Sequence, residues 1–237
     1  KDEGLRHGPL PELEAVRLAI SQMIPGISRP RIDAQTGRFM VDTIDAAGRK
    51  RNLFLDQLSD GYQVMLGVVM DFALRMAISN PAETPEAVLA QEAILIIDEV
   101  DLHLHPSWQQ RVIPDLRRTF PNTQLILTTH SPQVATTVPC ESLRILRDSR
   151  VFGAPSGTDG AESQRLLEDV FGVPARPAEM TATQSLEKYL RLVDEHQWNT
   201  PEAMRLRREL DAWSQGQEPR LAEADLQIEN LKWEVAG

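Results

Sequence analysis

A chain of 237 residues is long enough for one large domain, or one domain with a small appendage. Its 41% hydrophobic and 25% charged residues are ordinary for a globular protein, and 5% aromatic residues make the core aliphatic. The net charge of −10 disfavours a general basic nucleic-acid surface, the single cysteine, Cys140, excludes an intramolecular disulfide and fits a reducing, cytoplasmic compartment, and no uninterrupted apolar run approaches the roughly 18–20 residues that span a bilayer.

The chain opens on Lys1 in a polar segment with no signal-peptide pattern, and we expect it to belong to a longer protein. From Pro11 to Met23, apolar residues at Leu13, Val16, Ala19, Ile20 and Met23 form a helical stripe that Pro25 and Gly26 stop. Between Arg31 and Leu55 the period shortens. Arg38–Ile44, a turn at Asp45–Gly48 and Asn52–Leu55 predict a small antiparallel meander. LSDGYQ, residues 58–63, then leads into Val64–Ile78, which is apolar almost all round and predicts a buried helix with Ser59 at its N-cap. Asn80–Pro85 is a turn-rich break.

Ala93–Ile97 (AILII) runs straight into Asp98 and Glu99. A short unbroken apolar run fits a parallel strand covered on both faces, and α/β sheets place their ligands at the carboxyl ends of such strands. Pro106 suits the first turn of a helix running to about Thr119, which Pro114 should kink or split. Gln124–Thr128 reads as a second buried strand ending in Thr129-His130-Ser131-Pro132, and Leu143–Leu146 as a further strand. Glu162–Phe171 is helical, and Gly172–Pro177 is linker-like. Three amphipathic helices follow, at Thr181–Glu195, Pro201–Trp213 and Leu221–Trp233. They predict a helical appendage over residues 178–237 that serves docking or assembly, with Trp198, Trp213 and Trp233 as large apolar groups that bury against something.

LSDGYQ, ILIIDE and LTTHSP stand in that order, with about thirty residues between successive signals. With the phrases DEVDLHLHPSWQQRVIPDLRRTFPNTQLILTTHSPQV and GAESQRLLEDVFGVPARP, they make residues 58–177 resemble the ABC-type ATPases of the RecF, SMC and OLD branch. Within that branch the similarity is greatest to bacterial anti-phage defence ATPases of the Septu (PtuA) and retron-associated type. The resemblance implies an α/β fold with a mostly parallel sheet flanked by helices, and an ATPase domain over residues 1–177. It also implies ATP and Mg²⁺. Asp98 would hold Mg²⁺ through water and Glu99 would polarise the attacking water. His130 would be the switch histidine at the γ-phosphate. Ser59, Asp60, Gly61 and Gln63 form the signature, which in this family meets ATP held by the opposite subunit. Asp101, His103 and His105 occupy the D-loop, which in the family crosses to the partner's site. Read from the residues alone, His103 and His105 with Asp98 and Asp101 also offer metal-ligand spacing.

The family needs a GxxxxGK(S/T) phosphate cradle. The lysines here are Lys1, Lys50, Lys188 and Lys232, and none stands in that pattern. We expect the cradle to lie upstream of Lys1, and these 237 residues by themselves to be inactive. The resemblance implies a homodimer or higher homo-oligomer controlling a separate nuclease effector of HNH type, with a DNA or RNA component possible and no membrane. Two alternatives stand beside it, a RecF/SMC-like repair ATPase acting on DNA and a non-hydrolysing scaffold that ATP holds together.

Overall fold

The structure is a computed structural model that describes residues 10–44 and 48–236. The polar opening, and residues 45–47 of the expected turn after the second meander strand, lie outside the described residues. The chain divides into two compact units between Gly172 and Val173, a few residues before the boundary expected at 177.

In the first unit, α1 (Pro11–Met23) starts on a proline whose missing N–H has no intrahelical acceptor to lose. Its stripe of Ala15, Val16, Ala19, Ile20 and Met23 is buried. The meander has three antiparallel strands in chain order, β1 (Ile27–Ile32), β2 (Phe39–Ile44) and β3 (Lys50–Phe54). β1 begins earlier than the sequence suggests, because ISRPRI carries a proline where a strand loses a donor. The register shifts between Ser28 and Arg31, and Arg29 is left-handed (φ 50°), so Pro30 sits in a bulge where that donor is not needed.

Helix α2 (Asp60–Ser79) corrects the expectation of burial all round. Met65, Leu66, Val69, Ala73, Met76 and Ala77 face the core, while Val64, Leu74 and Ile78 are exposed. By length and composition, α2 is apolar enough to cross a bilayer, which the sequence reading missed because Asp71 and Arg75 interrupt the run. Those two charges pair on the helix surface at 2.7 Å, and the opposite stripe packs against α1, as in a core helix of a globular unit. α3 (Pro85–Leu89), capped by Thr84, occupies what read as a turn-rich break and buries Val88 and Leu89.

β4 (Ala93–Ile97) and β5 (Thr123–Leu127) pair in parallel, Ala93 opposite Thr123 and Ile97 opposite Leu127. Only one face of the pair is covered among the described residues. Leu95, Ile97, Leu125 and Leu127 lie against the core, but Ile94 and Ile96 are 61% and 70% exposed and Ile126 47%. The connection splits as expected, into α4 (Pro106–Gln109) and α5 (Val112–Thr119). Pro114 cannot donate to the carbonyl of Gln110, and its ring would strike it, so the helix breaks at 110–111 and restarts at Val112 with Pro114 in its first turn. Phe120, just beyond α5, is fully buried with its ring edge-on to Phe72 at 4.9 Å.

After β5 come α6 (Pro132–Ala135) and a hairpin of β6 (Arg144–Arg147) and β7 (Arg150–Gly153). The hairpin turns on Asp148 and Ser149, both left-handed, as a two-residue turn of mirror type requires. α7 (Ser163–Asp169) closes the unit.

The second unit contains α8 (Thr181–Asp194), α9 (Pro201–Ser214) and α10 (Pro219–Ala236). They share a core of Leu186, Tyr189, Val193, Leu206, Leu210, Leu221 and Ile228. A cut at Thr200 would therefore strip α8 of the residues that cover it. Of the three tryptophans, Trp198 packs on this core, while Trp213 and Trp233 are 51% and 81% exposed.

Candidate functional site

The in-step register of β4 and β5 decides what meets at their carboxyl ends. Val100 donates its N–H to the Thr128 carbonyl (3.0 Å), and Thr128 donates its own to Ile97 (3.1 Å), so pairing continues just past both strands. Asp98 and Glu99 therefore stand beside Thr128, Thr129 and His130. The Thr128 hydroxyl donates to Asp98 Oδ1 and accepts the backbone N–H of Glu99 at 2.8 Å. The Thr129 hydroxyl donates to Asp101 Oδ1, which also accepts the backbone N–H of His130 at 3.2 Å. Two threonines thus join the acidic loop to the histidine loop. Charge-assisted bonds of this kind hold both aspartate carboxylates in place. Sequence reasoning passed over both threonines; the signal was the Thr-Thr pair immediately before His130.

Glu99 is held with φ 52° and His103 with φ 62°, a left-handed conformation that side chains other than glycine rarely take. Each costs about 1–3 kcal/mol, and such residues cluster at functional sites. Loop bonds hold them there, Leu102 N–H to Glu99 O at 2.9 Å and Leu104 N–H to Asp101 O at 3.1 Å. Asp98, Glu99 and His130 remain exposed.

Residues 101–105 lead from this cluster to a second one. Leu104 is buried, and the His103 carbonyl lies against Gly61, where an added Cβ would stand 2.8 Å from it. Gly61 is thus required by the chain's own 101–105 loop, a reason the sequence did not show. Ser59, Asp60, Gly61, His103, His105 and Trp108 line an open groove of about 590 Å³, with Tyr62 edge-on to Trp108 at 4.6 Å. Ser59 occupies the N-cap of α2 as expected, but its hydroxyl makes no capping bond. It is exposed at a helix start whose first N–H groups lack intrahelical acceptors. Gln63 turns back instead, donating its amide to the Leu58 carbonyl at 2.8 Å and bracing the loop that presents Ser59.

Two of the D-loop residues have tasks within their own chain. The carboxylate of Asp101 braces the histidine loop, as above. His105 caps α4, its Nδ1 accepting the Ser107 N–H at 3.3 Å. The alternative metal reading finds no support, since among the described residues no three His, Cys, Asp or Glu side chains are grouped closely enough to hold an ion. An Mg²⁺ held through water fits better. Asp98 offers a hard oxygen ligand at the carboxyl end of a strand, and Thr128 fixes its other oxygen. No phosphate cradle accompanies it in this sequence.

Comparison with known proteins places the chain in a family. The chain is 37% identical over 224 residues to the retron Ec83 probable ATPase of Escherichia coli, covering 94% of the chain and 40% of that relative. It is 29% identical over 161 residues to the Septu protein PtuA of Bacillus thuringiensis, covering 63% of the chain and 41% of PtuA. The chain therefore spans about two-fifths of the length of these relatives. Among solved structures, an SMC ATPase superposes with a TM-score of 0.45 at 16% identity, over 68% of this chain and 91% of that one. The model for the AAA domain described as putative AbiEii toxin, type IV TA system matches residues 16–136, which hold the last eight residues of α1, the Ser59 loop, both parallel strands and His130, and with just over half of its residues matched the chain belongs to this AAA-domain ATPase family.

Proposed function

We propose that these residues are the ATP-hydrolysing half-site of a defence ATPase whose nucleotide state controls a separate nuclease effector. The observation that carries the proposal is the hydrogen-bonded junction of the two strand ends. It supplies one Mg²⁺-competent carboxylate, one carboxylate on a strained and exposed loop, and an exposed histidine, all at the carboxyl ends of the same two strands. In this reading Asp98 holds the metal, which neutralises developing phosphate charge. Glu99 orients the attacking water and His130 meets the γ-phosphate. The uncapped Ser59 and the start of α2 meet the phosphate of ATP bound by a second copy, so the working unit is a homodimer or a larger homo-oligomer. The nuclease reading, with an HNH-type effector and a nucleic-acid component, rests on the likeness to retron and Septu ATPases. The exposed Trp213 and Trp233 are the docking groups we assign to the second unit.

Glu99→Gln in the full-length protein tests the catalytic assignment. The amide keeps the size of the side chain and removes the charge that orients water. ATP binding should persist within a few-fold while turnover falls by at least about a hundredfold, a barrier rise of about 3 kcal/mol. Turnover within threefold of wild type removes Glu99 from the catalytic role.

A further inference from the structure

Gln109, near the end of α4, makes more cross-loop bonds than any catalytic candidate. Its Nε2 donates to the Leu104 carbonyl at 2.9 Å and to the Asp101 carbonyl at 3.3 Å, which flank His103 in the D-loop. Its Oε1 accepts the hydroxyl of Ser131, the residue after His130, at 2.8 Å. Ser131 is buried, and its oxygen also accepts the Gln133 N–H at 3.1 Å, capping α6. The direction of every bond follows from chemistry. Two backbone carbonyls can only accept, so they face the NH₂, and the one hydroxyl proton of Ser131 is left for the amide oxygen. No other side chain has Gln109's combination of two adjacent donors and an acceptor at this length.

We propose that Gln109 is a positioning residue that couples the D-loop to the histidine loop, so that the Gly61 groove and His130 shift together. The inference rests on the ATPase reading above for its effect on turnover, but the coupling itself is a property of the fold. The His103 carbonyl that rests on Gly61 lies between the two carbonyls Gln109 holds. A change of D-loop position, as nucleotide or a second copy enters the groove, is thereby transmitted to Ser131 and its neighbour His130. Gln110 bonds separately to Gln133, so α4 stays attached to α6 when Gln109 is changed.

The test uses Gln109→Met, which keeps length and volume, and Gln109→Glu, which turns a second acceptor toward the two carbonyls. In the full-length protein both variants should lower kcat for ATP about tenfold or more, with the dissociation constant of a fluorescent ATP analogue unchanged within twofold, because misplacing a reacting group costs rate more than binding. A residue that served only stability would lower the melting temperature and leave both constants alone at temperatures well below melting. Turnover within twofold of wild type for both variants overturns the proposal. Ser131→Ala supplies a readout independent of hydrolysis. Hydrogen exchange at the Leu102 and Leu104 amides, more than twenty residues away in sequence, should speed up several-fold. Exchange changing only at residues 131–136 also overturns it. Failure of the ATPase reading shows differently: wild type and Glu99→Gln would both neither bind nor hydrolyse ATP, while the Ser131→Ala exchange result would still decide the coupling.

Discussion

Gly61 has a steric task inside its own chain, and this changes how its family role is to be tested. A side chain there would meet the backbone oxygen of His103 at 2.8 Å, and backbone cannot swing aside as a flexible side chain can. Gly61→Arg would therefore displace the D-loop as well as block a partner's phosphate, and a loss of activity would not separate the two. Ser59 separates them. Its side chain is exposed and makes no capping bond, so enlarging it disturbs little of its own subunit. Ser59→Arg should leave the melting temperature within about 2 °C and abolish ATP-dependent dimerisation. Mixed with Glu99→Gln protein, it should recover hydrolysis, because one site of the mixed dimer pairs an intact Glu99 with an intact Ser59. With one working site of two in each mixed dimer, the recovery cannot exceed about half of wild type for a two-fold dimer. A mixture as inactive as either parent means that Ser59 serves the site of its own chain.

At the scale of elements, α2 shows how far a pattern can be read. Its 20 residues are rich in apolar side chains on every side, and from the sequence no face stands out as the core face. Packing against α1 and α3 selects one: Leu66, Val69 and Ala73 are fully buried and Ile78 is 64% exposed. Leu66→Ala should cost about 2–5 kcal/mol, whereas Ile78→Lys should change stability by no more than about 0.5 kcal/mol. Chemical denaturation of the two variants beside wild type checks this, and equal costs would mean that both faces are packed. The same distinction runs through the rest of the fold. β4, β5, the Pro114 split and the three terminal helices were legible because each carries its own signal in apolar period, proline or cap. β1 was partly hidden because its bulge accommodates Pro30, and β7 because RVFG is too short to show a period. The site divides likewise. Asp98, Glu99 and His130 stand out by position at the ends of apolar runs. The bracing by Thr128, Thr129 and Gln109 depends on two strands being in register, which no local window contains.

Across the whole molecule, the exposed sheet face and the absent phosphate cradle bear on one prediction. Ile94, Ile96 and Ile126 form an apolar surface on one side of a parallel pair, and parallel sheets are ordinarily covered on both sides. The same strands end in Asp98 and Glu99, to which we assign work on a phosphate held beside them. Among the described residues nothing covers that face, and the sequence given holds no GxxxxGK(S/T) loop. Mg²⁺ and a water-orienting carboxylate cannot act on a γ-phosphate that nothing holds, and backbone N–H groups with a P-loop lysine are what usually hold it. The isolated 237-residue chain should therefore show no saturable ATP binding below about 1 mM and no turnover above buffer. That is a loss of at least about 4 kcal/mol of binding against a micromolar site. A longer polypeptide bearing such a loop should bind ATP in the micromolar range and hydrolyse it, with Glu99→Gln abolishing hydrolysis there. It should also slow hydrogen exchange along β4 and β5, since covering Ile94, Ile96 and Ile126 stabilises the pair. Micromolar binding and steady turnover by the 237 residues alone would mean that another element, with the start of α2 the first to examine, replaces the cradle. Restored binding without slower exchange in β4 would mean that the cradle and the cover of the sheet are separate parts.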